Sequence, residues 1–372
     1  MCLKEEERIG ENDKVLVVVT NQYMFEQLLW YHSKYPEGVW EAIVIKFGYD
    51  DDLLSIMNKK CKECGLFETV ICYDNWMPQN SLSEKMLTML KYIFQYITRS
   101  RERCDRKLIE SITEKKCDYK KVIVHSTYSL ISVASINAMS EAVLICMEDG
   151  LADYLPAEGI KYGSELLNYV LAKLNVINMF VRGHRFKMKY DNRIIKYVSL
   201  PDKMRYRNYK SIKRLFKDDN RKISYSEKEL LLKKQGYDVI VFSTTFSDFG
   251  QYEELYYSTL QEWLKKHYNG KKILFKPHPR ERCKFNCDDL DIHIDGREIA
   301  GEKLLELLPS TELVFTYTTT ILLKACREKR GFKVLYFKNI NSKWYRLALK
   351  NDSDLLGIRD ADWITLGDEE DE

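Results

Sequence analysis

The run Lys14-Val15-Leu16-Val17-Val18-Val19-Thr20 is apolar at every position between its two ends. A strand of that kind is buried on both faces, which happens where helices cover both sides of a parallel sheet. Similar short runs predict strands at 41–46, 68–72, 121–125 and 142–147. Helical spacing between them predicts helices over about 23–35, 51–61, 81–101 and 129–140. Strands and helices in this rhythm imply an α/β, doubly wound sheet.

The rhythm lapses from about Gly150 to Gln235, where an amphipathic helix over 164–181 is followed by a strongly basic block. It then restarts. Strands are predicted at 237–243, 272–276, 291–294, 311–315 and 333–337, with helices at 252–268, 301–308 and 321–329. The expected organisation is a Rossmann-like domain over 1–155 on the acceptor side, a basic helical connecting region over 156–235, and a Rossmann-like nucleotide-sugar domain over 236–372. The economical architecture is two such halves facing each other across a cleft.

A length of 372 residues supports two domains, and 45% hydrophobic with 31% charged residues describes a globular chain, not a disordered one. No segment reaches the roughly 18 uninterrupted apolar residues of a spanning helix. The start, Met1-Cys2-Leu3-Lys4-Glu5-Glu6-Glu7, has no apolar signal region, so a cytoplasmic location is expected. Ten cysteines spread along the chain fit a reducing compartment. Cys61 and Cys64 have zinc-ligand spacing, but Cys283 and Cys287 are too loosely spaced for a second tight pair, so all are read as free thiols with no metal.

Between Arg182 and Lys234 stand 18 lysines and arginines against six acidic residues. Tyr190, Tyr197, Tyr206, Tyr209 and Tyr225 are interleaved with them. Such a block could hold nucleic acid, an anionic membrane surface or an anionic glycan, or be a solvated face. With no RNA-binding motif in the block, nucleic acid ranks low. The middle region is where peripheral contact with the inner membrane face, or a homodimer contact, would lie.

Three motifs fall at predicted strand ends, where open α/β sheets bind ligands. The first is Glu148-Asp149-Gly150 after the 142–147 strand. Two adjacent carboxylates on an alternating backbone can divide their work, one tied to the protein and one free to act as a general base for a hydroxyl. Taken alone it could equally be an acidic turn.

The second is Lys276-Pro277-His278-Pro279-Arg280. The prolines stiffen the backbone around His278, whose imidazole could neutralise charge on a departing phosphate, with Lys276 and Arg280 adding positive potential. The dipeptide His-Pro alone would more often be a rigid corner. The third is Thr316-Tyr317-Thr318-Thr319-Thr320, a hydroxyl-rich turn between a strand and a helix. Hydroxyls beside unpaired helix N-terminal amides make an anion site, although such a threonine can be a simple N-cap. No P-loop or glycine-rich dinucleotide fingerprint is present.

In this order the motifs resemble those of bacterial sialyltransferases: an acidic-acidic-Gly motif, an His-Pro motif and a hydroxyl pair. Ser243-Thr244 after the first strand of the second half adds to a resemblance to glycosyltransferase family 52, with the polysialyltransferase-like family close behind. The resemblance implies a GT-B fold and inverting, metal-independent transfer of sialic acid from CMP-sialic acid to a glycan hydroxyl, in capsule or lipooligosaccharide synthesis. It implies Asp149 as general base and His278 at the CMP phosphate. Thr318 and Thr319 would hold that phosphate, with Glu148, Gly150, Lys276, Pro279, Thr320, Ser243 and Thr244 around the donor. The chain departs from the pattern in having three threonines and no serine pair. Transfer from CMP-Kdo or CDP-glycerol, or a non-catalytic anion-binding module, are the alternatives.

Overall fold

A computed structural model describes residues 9–45, 51–73, 90, 94–95, 98, 100–125, 130–148, 194–198, 209–211, 226–243, 252–278, 281, 285, 287–295, 299–316, 320–340 and 363–366. The chain divides into two units, one of residues 1–149 with 156–219, the other of 150–155 with 220–372.

The first unit carries a parallel sheet of seven strands in the order β3-β2-β1-β4-β5-β6-β7. These are β1 (Lys14–Val19), β2 (Val39–Ile45), β3 (Thr69–Tyr73), β4 (Lys121–Val124), β5 (Val143–Cys146), β6 (Ile194–Val198) and β7 (Tyr209–Ser211). The continuous apolar run of β1 sits between β2 and β4, with Val17 beside Ala42 on one side and Ile123 on the other. Its alternate residues feed two cores. Val15, Val17 and Val19 pack with Met24, Phe25 and Leu28 of α1 (Gln22–Lys34) and Leu53, Met57 and Cys61 of α2 (Asp51–Glu63). Leu16 and Val18 pack with Ile109 of α3 (Arg101–Thr113) and Ile131, Ala134 and Ala138 of α4 (Leu130–Ala138). Burial on both faces is why the run needs no polar alternation.

The second unit carries a parallel sheet of six strands in the order β10-β9-β8-β11-β12-β13. They are β8 (Val239–Phe242), β9 (Ile273–Lys276), β10 (Ile292–Ile294), β11 (Glu312–Phe315), β12 (Phe332–Phe337) and β13 (Trp363–Leu366). Helix α5 (Glu227–Gln235) precedes the sheet and starts on a capping box: the Ser226 hydroxyl accepts from the Glu229 amide, and the Glu229 carboxylate accepts from the Ser226 amide. Tyr256, Leu260, Trp263 and Leu264 of α6 (Glu253–Tyr268) cover one face of the sheet. Leu304 and Leu305 of α7 (Gly301–Leu307), with Leu322 and Ala325 of α8 (Thr320–Arg327), cover the other.

The structure differs from the expected organisation in the middle of the chain. The region predicted as a helical connection over 156–235 supplies β6 and β7 to the first sheet and α5 to the second unit. Ile194-Ile195-Lys196-Tyr197-Val198 is a strand sequence, but arginines and lysines on every side mask its apolar pattern. Tyr197, one of the tyrosines interleaved with the basic block, is buried, with its ring edge-on to Tyr31 at 5.4 Å. Helix α3 lies beyond the predicted 81–101 helix, most of which falls outside the described residues, as does the predicted 164–181 helix. Strand β13 was not predicted, because four residues beside an acidic tail carry little pattern of their own.

Cys61 packs in the first core, and burial pushes its thiol up to about 12, while the Cys64 thiol donates to the Cys61 carbonyl. Among the described residues, no helix is long and apolar enough to cross a membrane.

Candidate functional site

In the first sheet the chain builds outward from β1 to β3, then returns to β4 on the other side of β1. The connections therefore diverge between the carboxyl ends of β1 and β4, the place where such sheets open a crevice. Thr20 and Asn21 follow β1, His125 follows β4, and the three meet there. Thr20 Oγ1 is 3.0 Å from His125 Nδ1, and Asn21 Nδ2 lies 3.5 and 3.4 Å from Nδ1 and Nε2. Asn21 also caps α1, its Oδ1 accepting the Met24 amide at 2.9 Å. The crevice group is thus locked to the start of a core helix.

One strand further, the Met147 amide still bonds to the Val124 carbonyl, so the β5 pairing runs up to Glu148. Glu148 is 0% exposed. Its Oε1 accepts from the Tyr23 hydroxyl at 3.3 Å, and its carbonyl accepts from Gln27 Nε2 at 3.3 Å. The first carboxylate of the acidic pair is therefore held inside the protein by α1. Asp149 and Gly150 lie outside the described residues.

The second sheet has its divergence between β8 and β11. Ser243 follows β8, Pro277 and His278 follow β9, and Thr316 follows β11. The half-buried His278 opens a turn in which its carbonyl accepts the Glu281 amide at 2.8 Å. Glu281 is 2% exposed, and its carboxylate accepts from the Tyr257 hydroxyl at 2.6 Å and the Ser243 hydroxyl at 3.0 Å. Ser243 Oγ is 3.1 Å from the Tyr256 hydroxyl, which donates to Thr316 Oγ1 at 2.9 Å. Thr316 Oγ1 in turn donates to the Phe242 carbonyl at 3.3 Å. Two short runs of bonds, Tyr257 and Ser243 to Glu281 and Tyr256 through Thr316 to Phe242, thus lie side by side at the ends of the strands that carry the Ser243, His278 and threonine motifs.

Lys276 ends β9 and is 4% exposed, and its ammonium is 2.5 Å from Oδ2 of Asp295, which follows β10 and is 1% exposed. Burial raises the Asp295 carboxyl above its ordinary value, and the Lys276 charge opposes that rise. Asp295 Oδ1 has no hydrogen-bond partner among the described residues. The positive charge that the sequence offers to a phosphate therefore has a carboxylate partner within its own sheet. Thr320 begins α8. Thr244, Pro279, Thr318 and Thr319 lie outside the described residues. Among the described residues, no group of three or more His, Cys, Asp or Glu side chains could hold a metal ion.

Sequence inspection singled out neither His125 nor Glu281 as site residues. His125 closes a predicted strand, so the strand-end logic applied to the other motifs would have found it. Glu281 stands three residues after His278, the spacing of a turn. Tyr256 and Tyr257 carry no such signal, since aromatic residues on an amphipathic helix read as core.

The family model of alpha-2,8-polysialyltransferases (POLYST) matches residues 3–325 of the chain. The chain belongs to that family. It is the second of the two families that the motifs resemble, and the matched span contains all three motif positions.

The fold agrees with the polysialyltransferase assignment. A sialyltransferase from Photobacterium damselae, in a crystal structure of residues 113–497 corresponding to its GT-B domain, is 13% identical with a TM-score of 0.50, over 95% of this chain and 99% of that one. UGT89C1 of Arabidopsis thaliana, complexed with UDP, is 12% identical with a TM-score of 0.50, over 88% and 80%. Os79 of O. sativa, in complex with UDP and deoxynivalenol-3-glucoside, is 11% identical with a TM-score of 0.50, over 92% and 84%. At such identities the likeness is one of fold, and the fold is GT-B. A comparison with curated protein sequences finds no match. Family and fold together place the chain among the glycosyltransferases.

Proposed function

We propose that this polysialyltransferase-family chain moves sialic acid from CMP-sialic acid to a hydroxyl of a sialic-acid-bearing glycan, with inversion, in the synthesis of a bacterial surface polysaccharide. The observation that carries the reading is the family match over 3–325, which spans the acidic, His-Pro and threonine motifs. The α2,8 linkage to a sialic acid acceptor is part of this proposal, and the description of the family supports it.

In this reading the acceptor oxygen bonds to the anomeric carbon as the bond from that carbon to the CMP phosphate oxygen breaks. The acceptor proton goes to Asp149, and the leaving pair of electrons stays on CMP. The transition state is oxocarbenium-like, with negative charge growing on the phosphate. His278, Thr318 and Thr319 meet that charge, which removes the need for a divalent metal. Glu148 has a different part, and the inward bond of its carboxyl to Tyr23 supports the reading of Asp149 as the base. Thr244, Gly150, Pro279 and Thr320 surround the donor, while Lys276, paired with Asp295, and Ser243, bonded to Glu281, support the strand ends behind it.

The test is a donor panel of CMP-sialic acid, CMP-Kdo and CDP-glycerol, with oligosialic acid as acceptor. Turnover of CMP-sialic acid alone is expected. Turnover of only one of the other two would move the donor assignment to it.

Peripheral attachment to an anionic membrane belongs to the same proposal. Helix α5 leaves Leu230 and Leu231 about half exposed beside Lys228, Lys233 and Lys234. The 18 lysines and arginines against six acidic residues between Arg182 and Lys234 would draw that stretch to an anionic bilayer. Binding to anionic but not neutral liposomes is expected, and its absence at low salt would remove this element.

A further inference from the structure

The buried carboxyl group of Glu281 faces two hydroxyls in the second unit, although the transfer chemistry assigns it nothing. A carboxyl group shut from water needs hydrogen-bond partners, and the hydroxyls of Tyr257 and Ser243 supply them. The Ser243 proton is committed to Glu281, the Tyr256 proton to Thr316 and the Thr316 proton to the Phe242 carbonyl. Backbone bonds close the frame: the Ser243 amide to the Lys276 carbonyl at 2.9 Å, the Glu281 amide to the His278 carbonyl at 2.8 Å, and the Thr316 amide to the Phe242 carbonyl at 3.1 Å.

From this we infer that Glu281 is a positioning residue for the transfer. Through the hydroxyls of Tyr257 and Ser243 it holds the His278 turn in one arrangement with α6 and the end of β8. What the turn carries rests on the sialyltransfer reading above; its coupling to β8 does not.

Each hydroxyl has one proton, so the direction of every bond depends on the acceptor at the end. Glu281→Gln keeps the shape but turns one acceptor into an amide donor. A hydroxyl that faced it must then rotate. Rotation of the Ser243 hydroxyl releases the end of β8 from the His278 turn. A carboxylate that merely filled the core would disturb its own turn and nothing else.

The experiment joins amide hydrogen exchange by NMR with steady-state kinetics on Glu281→Gln, Glu281→Asp and Tyr257→Phe in the full chain. In Glu281→Gln the amides of Ser243 and Glu281 are expected to exchange together about tenfold faster. The Asp295 amide, bonded to the Phe275 carbonyl, serves as the unchanged reference. With CMP-sialic acid, kcat per folded molecule is expected to fall at least about tenfold while the acceptor KM holds, the pattern of an interaction made in the transition state. Glu281→Asp should recover part of the rate.

Faster exchange confined to the Glu281 amide would overturn the inference. So would a rate loss that matches the loss of folded protein. Tyr257→Phe removes one donor only and should show the same linked exchange at smaller size, which keeps the test decisive if the glutamine variant does not fold. Linked exchange in a protein that does not turn over CMP-sialic acid would sink the donor reading and uphold the coupling.

Discussion

Lys276 Nζ stands 2.5 Å from Asp295 Oδ2, joining the ends of β9 and β10 by an ion pair that is almost wholly shut from water. Such a pair is costly to break and cheap to replace. Removing one partner leaves a buried charge uncompensated. Lys276→Met and Asp295→Leu are therefore each expected to lose about 3–5 kcal/mol, while the double variant loses less than either single change. Urea denaturation of the four proteins measures the cycle, and additive losses would show that the two groups do not support one another.

Gly301 opens α7 against α8, and a Cβ there would overlap Ile321 Cδ1 and lie 2.9 Å from Ile321 Cγ1. Rotating χ2 could move Cδ1 aside, but moving Cγ1 requires χ1, which is stiff in a β-branched residue on a helix. Gly301→Ala is expected to cost about 1–3 kcal/mol by overpacking. Ile321→Val removes the overlapping atom, so the double variant should lose less than the sum of the singles in thermal or denaturant unfolding.

Glu312 gives a pH signature. Its Oε1 accepts from Lys333 at 2.6 Å and from Tyr268 at 2.8 Å. Burial pushes the carboxyl up, but the bonds from Lys333 and Tyr268 outweigh it and hold the group below its ordinary 4.5. A lowered folded value means the stabilisation is full above 4.5 and is lost as pH falls through the folded value. The Tm gap between wild type and Glu312→Gln should therefore be constant near neutrality and close in acid. A gap that widened in acid would contradict the assignment.

Asp149→Asn is expected to lower kcat roughly 10²–10⁴-fold, the range of a general base. Near-normal turnover would take Asp149 out of that role.

His278→Ala tests the phosphate side. The turn bond accepted by the His278 carbonyl is a backbone bond that the change leaves in place. Turnover of the CMP-sugar should fall severely with little change in Tm. Unchanged rates together with unchanged melting would remove His278 from the phosphate.

Much of the scaffold was legible in local pattern. The all-apolar run of β1 announces a strand covered on both faces, and each motif named from the sequence follows a strand or precedes a helix as expected. Strand β6 was hidden because Lys196 and the surrounding charges weaken its pattern; pairing with β5 makes it a strand. Strand β7 has only three residues and owes its form to β6 in the same way.

What the sequence determined by itself was the type and order of the elements and the residue types delivered to their ends. Those are properties of neighbouring residues, which periodicity records. Which ends meet was decided by tertiary structure alone. Thr20 reaches His125 across 105 positions because the sheet places β4 beside β1. Ser243 reaches Glu281 across 38 because β9 lies beside β8, and Tyr256 reaches Thr316 because α6 covers that face of the sheet. Strand order sets these meetings, and no local pattern encodes it.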